Sequence, residues 1–288
     1  MIIGIDYASV DGNTPPDFEQ FKGACHAQGS SAGFAIFRGA WGTSPDSTVQ
    51  RDWIRAHDAG LTCGAYLFLR TLKGMSPESQ VHVFADNVGA LRYHDLVPVI
   101  DVEDTGMGAE LELEWVHRAW LEMRKIYATS PVIYTSARVW SENLNSLPAG
   151  EMADSPLWLA KPWPWNIRTT AQLAPFKQGQ YDPTVPPTWG PGNWWLHQYQ
   201  GDALPVPGFS NTVDISRFNL MTQGEISVRV KWVQTRLGMK PTGLFNSDMT
   251  TRIKAFQTMV GVTADGIIGP KTFAPMCWHN GVERPLAA

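Results

Sequence analysis

Charged residues make up only 17% of this 288-residue chain, and cysteine is scarcer still: Cys25, Cys63 and Cys277 are odd in number and far apart. None stands in a Cys-x-x-Cys spacing, which argues against a disulfide framework and a cysteine zinc site. The seven histidines are scattered, with no His-Glu-x-x-His among them, so neither a metal nor a cofactor is expected. A Gly-x-Ser-x-Gly elbow, a phosphate loop and a Gly-x-Gly-x-x-Gly after the first strand are also missing, which argues against the serine-hydrolase, P-loop and dinucleotide folds. No apolar run approaches the roughly 18 residues that cross a bilayer, so no membrane insertion is expected. The N-terminus has no basic region followed by a cleavable apolar segment. Met1 to Asp6 reads at once as a strand, and no signal peptide is expected.

What is present is an ordinary apolar share of 43%, with 13 tryptophans and seven tyrosines. Most of these flat faces belong in a core, but sugar rings also bury their C–H faces against them. The stretch Val97 to Asp104 concentrates the chemistry. Its apolar start reads as a buried strand, and Asp101, Glu103 and Asp104 follow as that strand emerges. Alternation puts Asp101 and Glu103 on one side. Repulsion and partial burial then raise the pKa of one, so that one carboxyl stays protonated while the other ionises. Such a pair is equipped to break a glycosidic bond. A solvated turn after a strand is the plainer reading of this stretch alone.

Apolar runs centred on Ile3, Ile36, Tyr66, Val99 and Ile133 are separated by 33, 30, 33 and 34 residues. Helical patterns fill the intervals, the clearest from Glu110 to Tyr127, with Val116, Trp120 and Met123 on one stripe, acids in the first turns and Arg124 and Lys125 near the end. Strands alternating with helices imply an α/β fold around a parallel sheet, open or closed. From Pro148 to Pro207 the pattern changes: 11 of the 21 prolines fall there, together with Trp163, Trp165, Trp189, Trp194 and Trp195. Long helices cannot run through such a density of proline. The short runs at Leu157 to Ala160, Trp194 to Tyr199 and Val213 to Phe218 therefore supply strands with little helix between them. If the sheet closes, the last strand lies beside the first, and carboxyl ends share one mouth. Asp6, Asp101, Glu103 and Asp214 then converge. Arg38, Tyr66, Tyr134, Trp158 and Gln198 fall at or near the same rim, although packing is the plainer reading for Trp158 and Gln198.

After Gly224 the chain repeats itself. Lys231, Gln234, Thr235 and Gly238 return 23 residues later as Lys254, Gln257, Thr258 and Gly261, and the turn Thr242 to Phe245 returns as Asp265 to Ile268. Such register indicates a small helical module. Residues 1–222 carry 15 basic and 23 acidic side chains, while residues 223–288 carry 8 and 4, net −8 and +4. A basic appendage on an acidic domain suits a polyanionic surface; four net charges make a weak case for nucleic acid, which is not expected as a partner.

Several of these pieces, taken in order, resemble the family 25 glycoside hydrolases, muramidases of the Chalaropsis lysozyme type. They are Gly4 to Asp6, Pro98 to Glu103, Val132 to Ser136, Leu157 to Ala160, Gln198–Tyr199 and Val213–Asp214. The second half is similar to the peptidoglycan-binding domain 1 family, through Phe256–Gln257 and the turn from Asp265 to Thr272. The resemblance implies an irregular TIM-like (β/α)5(β)3 barrel over residues 1–222 and an all-α three-helix domain over 223–288. It implies Glu103 as general acid at the β-1,4 bond after N-acetylmuramic acid, with Asp101 assisting through the substrate's acetamido group or by steadying a positively charged intermediate. Asp6 and Asp214 would tune that pair, and Arg38 and Tyr134 would touch substrate. The pairing looks like a bacteriophage endolysin, a monomer held in the host bacterial cytoplasm until a separate protein opens the membrane, with peptidoglycan as its partner. Two stretches depart from the family pattern: Tyr7 to Gly12, and Leu67–Phe68 where an aromatic and a polar residue are commoner. A chitinase-like hydrolase is a second enzyme reading, but Val97 and Val99 stand where its longer acidic run would lie. A non-catalytic sugar-binding barrel is the third.

Overall fold

The computed structural model describes residues 1–288 apart from 13, 73, 162–170, 177, 178, 180 and 280–288; Trp163 and Trp165 lie outside the described residues. Five strand units come first: β1 (Ile2–Tyr7) with α1 (Phe18–Ala27), β2 (Ser31–Trp41) and its flap β3 (Ser44–Pro45) with α2 (Val49–Asp58), β4 (Thr62–Phe68) with α3 (Pro77–Val88), β5 (Val99–Asp101) with α4 (Ala109–Tyr127), and β6 (Val132–Ser136). Then come β7 (Leu157–Ala160), β8 (Leu196–Ala203) and β9 (Val213–Phe218). The C-terminal region is α5 (Val228–Arg236), α6 (Ser247–Met259) and α7 (Pro270–Trp278).

Neighbouring strands pair in the order β1-β9-β8-β7-β6-β5-β4-β2, and β1 also pairs with β2, so the sheet closes into an eight-stranded barrel. All pairings are parallel except those of β9, which runs antiparallel to both β8 and β1, and that of the flap β3. This corrects one step of the sequence argument. Asp214 reaches the mouth because it lies at the amino end of a descending strand, where it pairs in register with Asp6, and not at a carboxyl end. The fifth unit lacks a full helix. After β6 the chain makes only short helical turns at Val139–Asn143 and Gly150–Asp154, because Asn145 and Ser146 take left-handed φ of 48° and 53° between them, a conformation that ends a right-handed helix.

The helices start where local chemistry allows. The Asp17 side chain accepts from the Gln20 amide at 2.9 Å to cap α1, and Ser76 caps α3 ahead of Pro77, each satisfying an otherwise unpaired helix donor. In α4 the stripe of Val116, Trp120 and Met123 is buried against the sheet, as a 3.6-residue period requires.

Strand alternation then sorts the interior. Outward residues such as Ile3, Ile5, Ala35, Phe37, Ala65, Leu67, Ile100 and Ile133 form one core with the helices. Inward residues Phe34, Ile36, Val99, Val132, Trp158, Leu196 and Phe218 form a second core, which continues without a break into Val230, Val233, Phe256, Phe273 and Met276 of α5–α7. The joint is aromatic: Phe273 stacks on Trp195 with ring centroids 4.4 Å apart and meets Phe218 edge-on at 5.5 Å. Hydrogen bonds fasten its rim, from Trp278 Nε1 to the Asp95 carbonyl at 2.8 Å and from Trp232 Nε1 to the Asp154 carbonyl at 3.0 Å. The three-helix region therefore forms the floor of the barrel.

The repeat inside that region has a structural meaning. Gln234 Nε2 donates to the Leu244 carbonyl at 3.0 Å while its Oε1 accepts from the Gly243 amide at 2.8 Å. Gln257 does the same to Ile267 and Gly266, at 2.9 and 2.8 Å. Gly238 and Gly261 close their helices with φ of 65° and 74°, which glycine adopts at little cost.

Candidate active site

At the end of the barrel opposite the three-helix floor lies a cleft of about 250 Å³. Asp6, Asp101, Glu103, Asp214, Arg38, Tyr66, Tyr134, Trp158 and Gln198 all line it, so side chains up to 208 residues apart in the chain meet at one place.

Each carboxylate arrives by a different route. Asp6 sits near the end of β1, and Asp101 is the last residue of β5. Glu103 is two residues further on, past the end of the strand. Asp6 is buried, and Gln198 Nε2 holds it by donating to its Oδ1 at 2.9 Å and to Asp214 Oδ2 at 3.0 Å. The Gln198 carbonyl oxygen in turn accepts from the Tyr134 hydroxyl at 2.8 Å. Ser216 Oγ lies 3.4 Å from Asp6 Oδ2 and accepts from Trp158 Nε1 at 3.1 Å. Asp214 Oδ1 accepts from the Asp202 amide at 2.6 Å. One amide side chain thus ties the first and last strands together. Buried polar groups require such partners, and Trp158 and Gln198, for which packing was the plainer reading, are parts of this network.

Asp101 differs. It is only 4% exposed, and its Oδ1 accepts no hydrogen bond from any described residue. Glu103 opens to water at the mouth while protein crowds its flanks. Arg38 stands nearby, buried, with its Nε 3.3 Å from Asp46 Oδ2; Asp46 also accepts from the Ser9 amide at 2.9 Å. A cation anchored in this way favours the ionised form of Asp101 without neutralising it.

All four acids are held above the ordinary carboxylate range. Burial is the first cause in each case. For Asp6 the Asp214 charge adds to it; for Asp101 the Glu103 charge does. Asp214 is pushed up to about 7, against the backbone hydrogen bond that favours its charge. Glu103 is raised by burial, opposed by the neighbouring Tyr134 hydroxyl and by the Arg138 charge. Of the central pair, Asp101 is the more strongly shifted because it lies deeper. The two titrate as a unit: a first proton is retained by the pair, and the member that a ligand can reach from the mouth is Glu103. Excluding water from Glu103 raises that carboxyl further.

Sequence reasoning missed several residues of the cleft: Trp41, Phe68, Asp11 and Asp202 also line it. Among the described residues, no group of three His, Cys, Asp or Glu side chains is placed to hold a metal ion, and no helix is long and apolar enough to cross a membrane.

Residues 5–206 match the glycosyl hydrolases family 25 model, and residues 228–276 match a peptidoglycan binding domain model. The bacterial lysozyme from Streptomyces coelicolor is similar in structure, with a TM-score of 0.60 and 25% identity over 76% of this chain and 92% of that one. The muramidase from Acremonium alcalophilum shares the fold at a TM-score of 0.57, with 23% identity over 76% and 94% of the two chains. So does the CTP1L endolysin, at 0.55 and 19% identity, over 76% of this chain and 67% of that one. Comparison with curated proteins gave no match.

Proposed function

The chain belongs to family 25 of the glycosyl hydrolases, a lysozyme and muramidase acting on peptidoglycan, and from that premise we propose that Glu103 is its general acid. Glu103 protonates the oxygen leaving from the β-1,4 bond between N-acetylmuramic acid and N-acetylglucosamine. Asp101, which lines the cleft beside Glu103, orients and polarises the 2-acetamido group. Asp6 and Asp214, bridged by Gln198, set the field around this pair, and Arg38, Tyr66, Tyr134 and Trp158 shape the bed for the sugar. The convergence of Asp6, Asp101, Glu103 and Asp214 around one cleft, with Glu103 the member open at its mouth, carries the assignment.

The C-terminal region, net basic over 223–288, holds the enzyme on the wall and makes residues 1–222 the cutting domain. That pairing supports an endolysin role, in which a monomer waits in the host bacterial cytoplasm and meets peptidoglycan after release.

The test is Glu103→Gln. Turnover on purified walls should fall by about 10²-fold or more, the scale of a general acid, while sedimentation with walls stays at the parent level. A Glu103→Gln protein that releases reducing ends at the parent rate would leave the chain without this acid, and a parent that binds walls but releases none would make it a sugar-binding barrel.

A further inference from the structure

Trp41 is a large side chain left 38% exposed at the edge of a charged cleft, and its placement there is built in. Strict alternation from inward-facing Arg38 would point Ala40 into the barrel and Trp41 out among the helices. Instead the register of β2 against β4 slips between Arg38 and Ala40. Ala40 joins the core behind the sheet, and Trp41 pairs with Phe68. A β-bulge re-aims a side chain in this way. Only glycine fits the slip, because a Cβ on Gly39 would lie 2.6 Å from Phe84 and Val88 of α3.

The slip sets Trp41 in one cross-strand row with Phe68, Asp101, Tyr134 and Trp158. The indole is also held rigid. Phe68 stacks beneath it with centroids 4.0 Å apart and planes 13° from parallel. The Arg38 and Arg70 guanidinium carbons lie 5.2 and 4.9 Å from its centroid, and Arg70 is itself fixed to Asp104. A partly open indole with a stacked backing costs little entropy to engage and offers a π surface to C–H groups.

We propose that Trp41 is a sugar-stacking platform, a specificity-determining residue that takes the pyranose ring beside the cleaved bond. This rests on the reading that the cleft cuts a glycan, and it adds a binding contact that the acids do not supply. Trp41 and Phe68 add a stacked aromatic wall to a cleft whose other apolar lining includes Val10 and Val213; a β-1,4-linked sugar presents an apolar face that such a wall can take.

The test uses the full chain with Trp41→Ala, Trp41→Leu and Trp41→Tyr, and a soluble tetrasaccharide of alternating N-acetylglucosamine and N-acetylmuramic acid as probe. kcat and KM are measured in the parent background and Kd by calorimetry in Glu103→Gln. Trp41→Ala and Trp41→Leu should raise both KM and Kd about ten-fold, the scale of one lost aromatic contact, with kcat within about three-fold of the parent. Trp41→Tyr, which keeps a π face, should stay within about three-fold in all three. Should Trp41→Ala fail to fold, Trp41→Leu fills the space and gives the same reading. Unchanged Kd in Trp41→Leu overturns the proposal, as does a fall in kcat with unchanged KM in all three variants. If Glu103→Gln keeps the parent's turnover, the acid is misassigned, but the Kd ratios still decide the platform.

Discussion

At the amino end of the barrel, the inward positions hold Phe34, Ile36, Val132, Leu196 and Phe218, all buried in one cluster with Trp195 and Phe273. At the carboxyl end, the same inward faces hold Asp6, Arg38, Asp101 and Gln198. The strands are the same and the alternation is the same, yet one end gains stability from burial and the other loses it. Raised carboxylate pKa values at the mouth record that loss, since each means that the folded protein disfavours the charged form. A barrel can thus hold badly solvated acids at one end when a continuous apolar core closes the other. Here the three-helix region forms that closure and so belongs to the energetics of the barrel.

The largest break in this comparison should come at the floor. Phe273→Ala removes a fully buried ring from the joint, and large aromatic truncations cost about 3–5 kcal/mol. Urea unfolding should show that loss in a single transition spanning barrel and helices, while kcat of the protein that remains folded stays near the parent value. Two separate transitions, with the barrel's midpoint unmoved, would mean that the floor does not support the mouth.

At the mouth the sign is reversed. Asp214 has a folded pKa of about 7, above its ordinary 3.8. Its contribution to stability is therefore fully present below pH 3.8 and is lost as pH rises through 7. Asp214→Asn should remove part of that slope. Its melting temperature relative to the parent should improve between pH 4 and pH 8, whatever the fixed cost of the changed hydrogen bonds. A constant difference across that range would show that the cleft does not strain this acid.

A smaller effect is expected in the repeat. Gln257→Ala unpairs the Gly266 amide and takes one of two donors from the Ile267 carbonyl and should cost about 1–2 kcal/mol, by urea unfolding, without weakening wall sedimentation. Lost wall binding at unchanged stability would instead make the repeated glutamine a ligand contact.

Much of this architecture was legible along the chain because buried parallel strands announce themselves as apolar runs, and Asp6 and Asp101 end such runs. Asp214 was legible for a mistaken reason: its apolar neighbours showed a strand but not that β9 runs antiparallel. Trp41 was hidden because a one-residue register slip appears only when β2 is laid against β4. The matched Gln234 and Gln257 stood out as a repeat, while their hold on the turns did not, since a period gives no hydrogen-bond partner. The floor was hidden for a similar reason. Phe273 shows an apolar face in α7, and the sequence does not say which surface that face meets.

General-acid chemistry in this cleft requires the Asp101 and Glu103 pair to keep one proton above the ordinary carboxylate range. Carbon-13 NMR titration of the side-chain carboxyls, assigned with Asp101→Asn and Glu103→Gln, measures this directly. The pair should take up a proton with an apparent midpoint above the 4.5 of an ordinary glutamate, and the Glu103 signal should respond to it. Both carboxyls ionising together at or below 4.5 would leave Glu103 without a proton to give.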